Sequence, residues 1–98
     1  MNENMLPLGS VVYLKNGTVP LLIISRQPIA KIDSQEFYFD YSGVSQLTGF
    51  TPGGVAYFNQ VNIDRVIHLG YKTEYEDLLL QSMAQWREQT EIQRKDDI

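Results

Sequence analysis

The stretch FYFDYSGV, residues 37–44, sets one carboxylate, Asp40, inside a run of aromatic side chains. A carboxylate can act as a general acid or base when a second group is placed to share the proton transfer. Candidates for that second group are few. His68 is the only histidine and lies within RVIHLGY, where a strand histidine serves structure or faces solvent, and cysteine is absent. These two facts remove a thiol nucleophile and leave His68 no nitrogen or sulfur partner for a transition metal. Asp33, Asp40 and Asp64 do not follow the spacing of a calcium loop, and no serine has the setting of a nucleophile elbow. TPGGVA lacks the lysine and the following helix of a phosphate-binding loop. Two acids meeting in space would be the one route left to a cryptic hydrolase. The residues therefore read as non-enzymatic, with no cofactor and no metal expected.

The chain has 98 residues, enough for one small domain that buries roughly two-thirds of its unfolded surface. A large internal active-site cavity is not expected at that size. The opening MNENMLPLGS has no basic segment followed by an apolar run, and PLLII is far shorter than a bilayer span, so a cytoplasmic protein without a membrane span is expected. Up to Lys72 five cations balance five anions; from Thr73 onward three cations face seven anions, giving the whole net charge of −4. An acidic end with no basic stripe elsewhere repels phosphate backbones, so nucleic acid is not an expected partner.

The elements that must carry these residues are short. SVVYLKNGTVPLLIIS reads as a hairpin about Asn16-Gly17, in a type I′ turn, with both faces of LLII covered. RQPIAKIDSQ reads as a loop. A third strand over Glu36 to Ser42 would point Phe37, Phe39 and Tyr41 one way and Tyr38, Asp40 and Ser42 the other. The glycine-rich stretch 43–54 is either a mobile loop or a long hairpin connection. VAYFN, carrying Tyr57, reads as a strand, QVNID as a turn or single helical turn in which Asn62 can cap, and RVIHLGY as a last strand. The expected fold is α+β: a small curved antiparallel sheet or SH3-like barrel of about five strands over 9–70, preceded by an arm (1–8) and followed by one amphipathic helix (73–92) and a frayed tail (93–98).

The helix has explicit signals. Thr73 and Glu76 match a capping box, and Tyr75, Leu78, Leu79, Met83 and Trp86 form a stripe. That stripe either packs on the sheet or carries Met83 and Trp86 beyond the body to meet another chain. A carboxylate at Asp40, just before the strand exit at Tyr41-Ser42-Gly43, can accept hydrogen bonds from loop amides and shape the turn.

LPLGSVVYLKNGTVPLLIISR, FYFDYSGV and YFNQVNIDRVIHLGY resemble domain of unknown function family 4176, small proteins encoded beside type VII secretion systems and LXG toxins in Gram-positive bacteria. The resemblance rests on Pro7-Leu8-Gly9-Ser10-Val11, on Asp40-Tyr41-x-Gly43, and on Ile63-Asp64-x-Val66 before Gly70-Tyr71. It implies a chaperone-like or targeting accessory of the toxin locus that binds a secretion effector or another accessory protein. An immunity protein that neutralises a toxin is the alternative. The partner-binding candidates are Tyr38, Asp40, Tyr41 and Tyr57 on the strands and Met83 and Trp86 on the helix.

Overall fold

The computed structural model describes residues 5–96. Eight strands and one helix follow in order: β1 (Val11–Leu14), β2 (Leu21–Arg26), β3 (Ile29–Ile32), β4 (Gln35–Tyr38), β5 (Tyr41–Ser45), β6 (Ala56–Phe58), a 3-10 turn (Gln60–Asn62), β7 (Ile63–His68), α1 (Glu76–Gln89) and β8 (Gln93–Arg94). Five of them form an antiparallel sheet in the order β6-β5-β2-β1-β7, and β3-β4-β8 form a second sheet. The α+β expectation with a C-terminal helix holds. Both sheets are open, with β6 and β7 at the edges of the larger one, so the barrel alternative is not adopted.

Two turns differ from their sequence reading for a clear reason. The β1–β2 hairpin forms, but only Asn16 takes a positive φ; Gly17 donates its amide to the Leu14 carbonyl, and the connection runs on to Pro20. Proline has no amide hydrogen for the ladder, so pairing resumes at Leu21 opposite Val12. The two-residue type I′ geometry appears instead at Asp33-Ser34, where both φ angles are positive and β3 pairs with β4. The segment expected as a loop is thus mostly strand.

That second hairpin is an outgrowth of the first sheet. β2 and β5 pair as far as Arg26 opposite Tyr41, and the two chains then turn together into β3 and β4. The bend is held where the Gln27 amide donates to Asp40 O and the Phe39 amide to Pro28 O, with Gln27 in the left-handed region. FYFDYSGV is therefore no single strand: Phe39 and Asp40 form the corner between the two sheets. The alternation expected across Glu36 to Ser42 fails there, and Phe39, Asp40, Tyr41 and Ser42 are all buried.

The core gathers Met5, Leu6, Val12, Ile23, Tyr41, Phe58 and Met83, flanked by Leu14, Leu21, Ile63 and Leu80. Of the described residues of the expected arm, Met5 to Pro7 are buried and Leu8 is exposed. β2 is covered less than LLII suggested, since Ile24 sits at a bulge and is exposed. Of the glycine-rich stretch, Gly43 to Ser45 belong to β5 and the remainder is the long connection to β6.

The helix is shorter and rotated relative to expectation. Its first residue is Glu76, with Tyr75 at the cap, and the Thr73 hydroxyl accepts from the Tyr75 amide rather than closing a capping box. Glu76 reaches back to Arg26 instead, at 2.6 Å. At 14 residues α1 spans about 21 Å, and of the two readings of its stripe the distal half packs on the body, Met83 buried and Trp86 against Tyr38. Met83 enters the core, while Tyr75, Leu78 and Leu79 remain exposed. Met83→Ala is expected to lower stability by about 2–4 kcal/mol and Leu78→Ala by less than about 0.5 kcal/mol, as read by chemical denaturation. Equal losses would show that the exposed stripe is packed.

Candidate functional site

The corner at Asp40 is the most densely connected polar site in the fold. Its carboxylate accepts the Gln60 amide at 2.8 Å, where the 3-10 turn presents unpaired donors, and meets Arg94 Nη1 at 3.3 Å from both oxygens. Its own amide donates to Asn59 Oδ1 at 2.9 Å, and its carbonyl takes the Gln27 amide. Asn59 is fully buried, and its side-chain nitrogen donates to the Lys95 carbonyl. Asn62 closes the turn by accepting the Asn59 amide, the capping role its position suggested.

Tyr41 extends this network inward. Its hydroxyl accepts the Leu6 amide at 2.8 Å and donates to Gln60 Oε1 at 2.5 Å. Burial pushes the Tyr41 phenol up to about 12, the Leu6 bond opposing and nearby Asp40 reinforcing it. The unfolded phenol titrates near 10, so between about pH 10 and 12 the unfolded chain has released a proton that the native chain still holds. Stability from this group is complete below about pH 10 and is lost toward pH 12, on the order of 2–3 kcal/mol. Denaturation of the wild type at rising alkaline pH should show this fall, and the difference curve against Tyr41→Phe isolates it. Parallel curves for the two proteins would contradict the assignment.

The C-terminal segment expected to fray is part of the site. β8 pairs in parallel with β4, Gln93 opposite Phe37 and Arg94 opposite Tyr38, and the Lys95 amide donates to Tyr38 O at 3.0 Å. Lys95 Nζ lies 5.2 Å from the Phe37 ring. Arg94 also holds Asp96 at 3.0 Å; its burial disfavours charge, but Asp96 and then Asp40 outweigh this and raise its pKa. Asp97 and Ile98, the last two residues of the expected tail, and residues 1–4 of the expected arm lie outside the described residues.

The six partner-binding candidates separate into three places. Tyr38 and Trp86 meet edge to face at 5.1 Å and 80°, both half-buried. Burial raises the Tyr38 pKa against the opposing charge of Arg94. Tyr57 is exposed on β6 and leans on Phe39 at 5.3 Å. Asp40, Tyr41 and Met83 are buried and present no surface in this conformation. Arg26, Asn59, Gln60 and Arg94 have central positions that no sequence motif marked. Arg26 joins three parts of the chain, donating to Leu6 O at 2.7 Å, to Met5 O and to Glu76.

Asp40 is surrounded by donors already committed to it, and no buried side-chain nitrogen or oxygen among the described residues lacks a partner. No group of three metal-ligating side chains occurs among the described residues. Among the described residues, the cleft bordered by Val11, Pro20, Gln46, Ile67 and His68 has no ionisable lining group besides His68.

A family model described as a domain of unknown function (DUF4176) matches residues 5–79. The chain belongs to the DUF4176 family. No curated protein and no solved structure matches it. The motifs that carry the resemblance have structural roles in this DUF4176 chain. Gly9 adopts φ 88°, Ser10 Oγ accepts the Gly70 amide at 2.9 Å, and Gly43 lets β5 pass close to Leu22 and Phe58. The matched region ends inside α1, so Asp40 and Asn59 belong to it whereas Arg94 and Lys95 do not.

Proposed function

We propose that this DUF4176 protein is a non-enzymatic, cytoplasmic accessory of a type VII secretion and LXG toxin locus, chaperone-like or targeting in action, that works by binding another protein of that locus. The observation that carries the reading is the exposed apolar face at the start of α1. Tyr75, Leu78 and Leu79 lie at i, i+3 and i+4 and are 64, 67 and 43 % exposed, close in sequence to Tyr71 at 82 %. Large apolar side chains grouped on a helix face mark sites that another surface covers. The closed hydrogen bonding around Asp40 favours binding over catalysis, and family membership supports the setting through the locus association its resemblance implies.

Affinity purification of the tagged chain from its native host tests this. Products of the neighbouring secretion genes should be recovered with the wild type and lost with the double variant Leu78→Asp, Leu79→Asp, whose positions lie outside the core. Recovery of no locus product, or equal recovery by wild type and variant, would overturn the reading.

A further inference from the structure

The tail segment Gln93–Lys95 sits in the fold as a ligand sits in a receptor. The receptor has three parts: the free edge of β4, which receives the Lys95 amide at Tyr38 O; the buried Asn59 side chain, which holds the Lys95 carbonyl; and the buried Asp40 carboxylate, which faces Arg94. With the tail in place Asp40 and Asn59 are 2 and 0 % exposed, and both are also held by bonds that do not involve the tail: the Gln60 amide on the Asp40 carboxylate, the Asp40 amide on Asn59 Oδ1 and the Asn59 amide on Asn62. The occupant is held more loosely. Its parallel ladder is two residues long, its arginine meets Asp40 only at 3.3 Å, and that side chain is about one-third exposed.

We propose that the β4 edge with Asp40 and Asn59 is a docking groove for an extended segment of a partner protein carrying an arginine, and that the chain's own tail occupies it at rest. Strand addition supplies sequence-independent backbone bonds, and the buried carboxylate selects a guanidinium one residue before the carbonyl that Asn59 captures. The groove lies in the family-matched region and its resident segment lies beyond it. A tethered tail competes at an effective concentration in the millimolar range. The partner segment must therefore bring further contacts, and the exposed α1 face supplies a place for them. This inference rests on the protein-binding reading above and specifies the chemistry of the partner.

The test uses purified full-length chain and a fluorescent peptide of sequence QTEIQRKD, matching residues 89–96. Full-length Arg94→Ala, whose own tail has lost its anchor, should bind this peptide about tenfold more tightly than the same peptide with alanine in place of arginine. Wild type should bind it more weakly than Arg94→Ala does, because its own tail competes. In wild type, the Lys95 amide should exchange with deuterium at least roughly a hundredfold faster than the amides of β5, reporting local release of the tail. Equal affinity for the two peptides, no binding to Arg94→Ala, or equal protection of Lys95 and β5 would each overturn the proposal. Wild-type dimers dissociated by the free peptide would also overturn it, by giving the groove to the tail of a second copy. The peptide assay involves no other cellular protein, so its failure would leave the affinity-purification result standing, and the reverse holds equally.

Discussion

Asp40→Ala is expected to destabilise the protein by about 3 kcal/mol and to free its C-terminal segment. Removing this carboxylate strands the Gln60 amide at the start of the 3-10 turn and leaves Arg94 without its buried partner. Taking away one member of a buried ion pair costs about 3–5 kcal/mol; the lower end applies because Arg94 is partly exposed and keeps Asp96. Asp40→Asn retains an oxygen for the Gln60 amide, so its loss should be smaller, about 1–2 kcal/mol. Arg94→Ala leaves the buried Asp40 carboxylate with the Gln60 amide but without its cation and should cost as much as Asp40→Ala, about 3 kcal/mol. Urea denaturation of the three variants gives the ranking. A loss below about 1 kcal/mol for Asp40→Ala would show that water replaces both partners and that the corner does not depend on the acid.

The second large effect lies at Gly70, where β7 has ended and the chain passes the N-terminal segment. A Cβ here would fall inside contact distance of the Leu8 carbonyl oxygen, 2.8 Å from Ser10 N and 3.0 Å from Gly9 C. All three obstacles are backbone, so no side-chain rotation relieves them. Gly70 N also donates to the buried Ser10 hydroxyl, which holds the two segments together. Gly70→Ala should therefore cost about 3 kcal/mol or more. Gly49→Ala is the control: its Cβ would meet nothing within 4 Å, and only its φ of 80° opposes the change. That control should lose about 1–2 kcal/mol. Thermal melts that rank the two variants the other way would place the strain in the backbone angle rather than in close approach.

These two positions also explain why the family motifs were recognisable while their roles were not. Gly9-Ser10 and Gly70 stand about sixty residues apart and meet through one hydrogen bond. Asp40 and Arg94 are separated by 54 positions and have no periodicity in common. A motif shows that residue types recur, and the partner across the fold supplies the reason. The aromatic run around Asp40 was legible as strand, because alternating bulky side chains favour extended backbone. The bend between Tyr38 and Tyr41 was not, because it depends on bonds from Gln27 and Phe39 that form only once β2 and β5 pair. RQPIAKIDSQ shows the opposite error: Pro28, Asp33 and Ser34 are turn formers, and they bound a strand rather than replace it.

The β1–β2 hairpin, a helix following the strands of the larger sheet, the single helical turn before β7 and the acidic helix start follow from local rules of turn chemistry, hydrophobic period and capping charge. Those rules act over a few residues and can be read from neighbours alone. Tertiary structure decided which face of α1 is buried, since Leu78 and Met83 are equally apolar and only the position of the sheet distinguishes them. It also placed the C-terminal segment. QRKDDI has the composition of a solvated end; Gln93 to Lys95 are ordered because a β4 edge, a buried amide and a buried carboxylate, all distant in sequence, converge on them. Asp40, the carboxylate most open to a catalytic reading, is thereby the acid that anchors a strand.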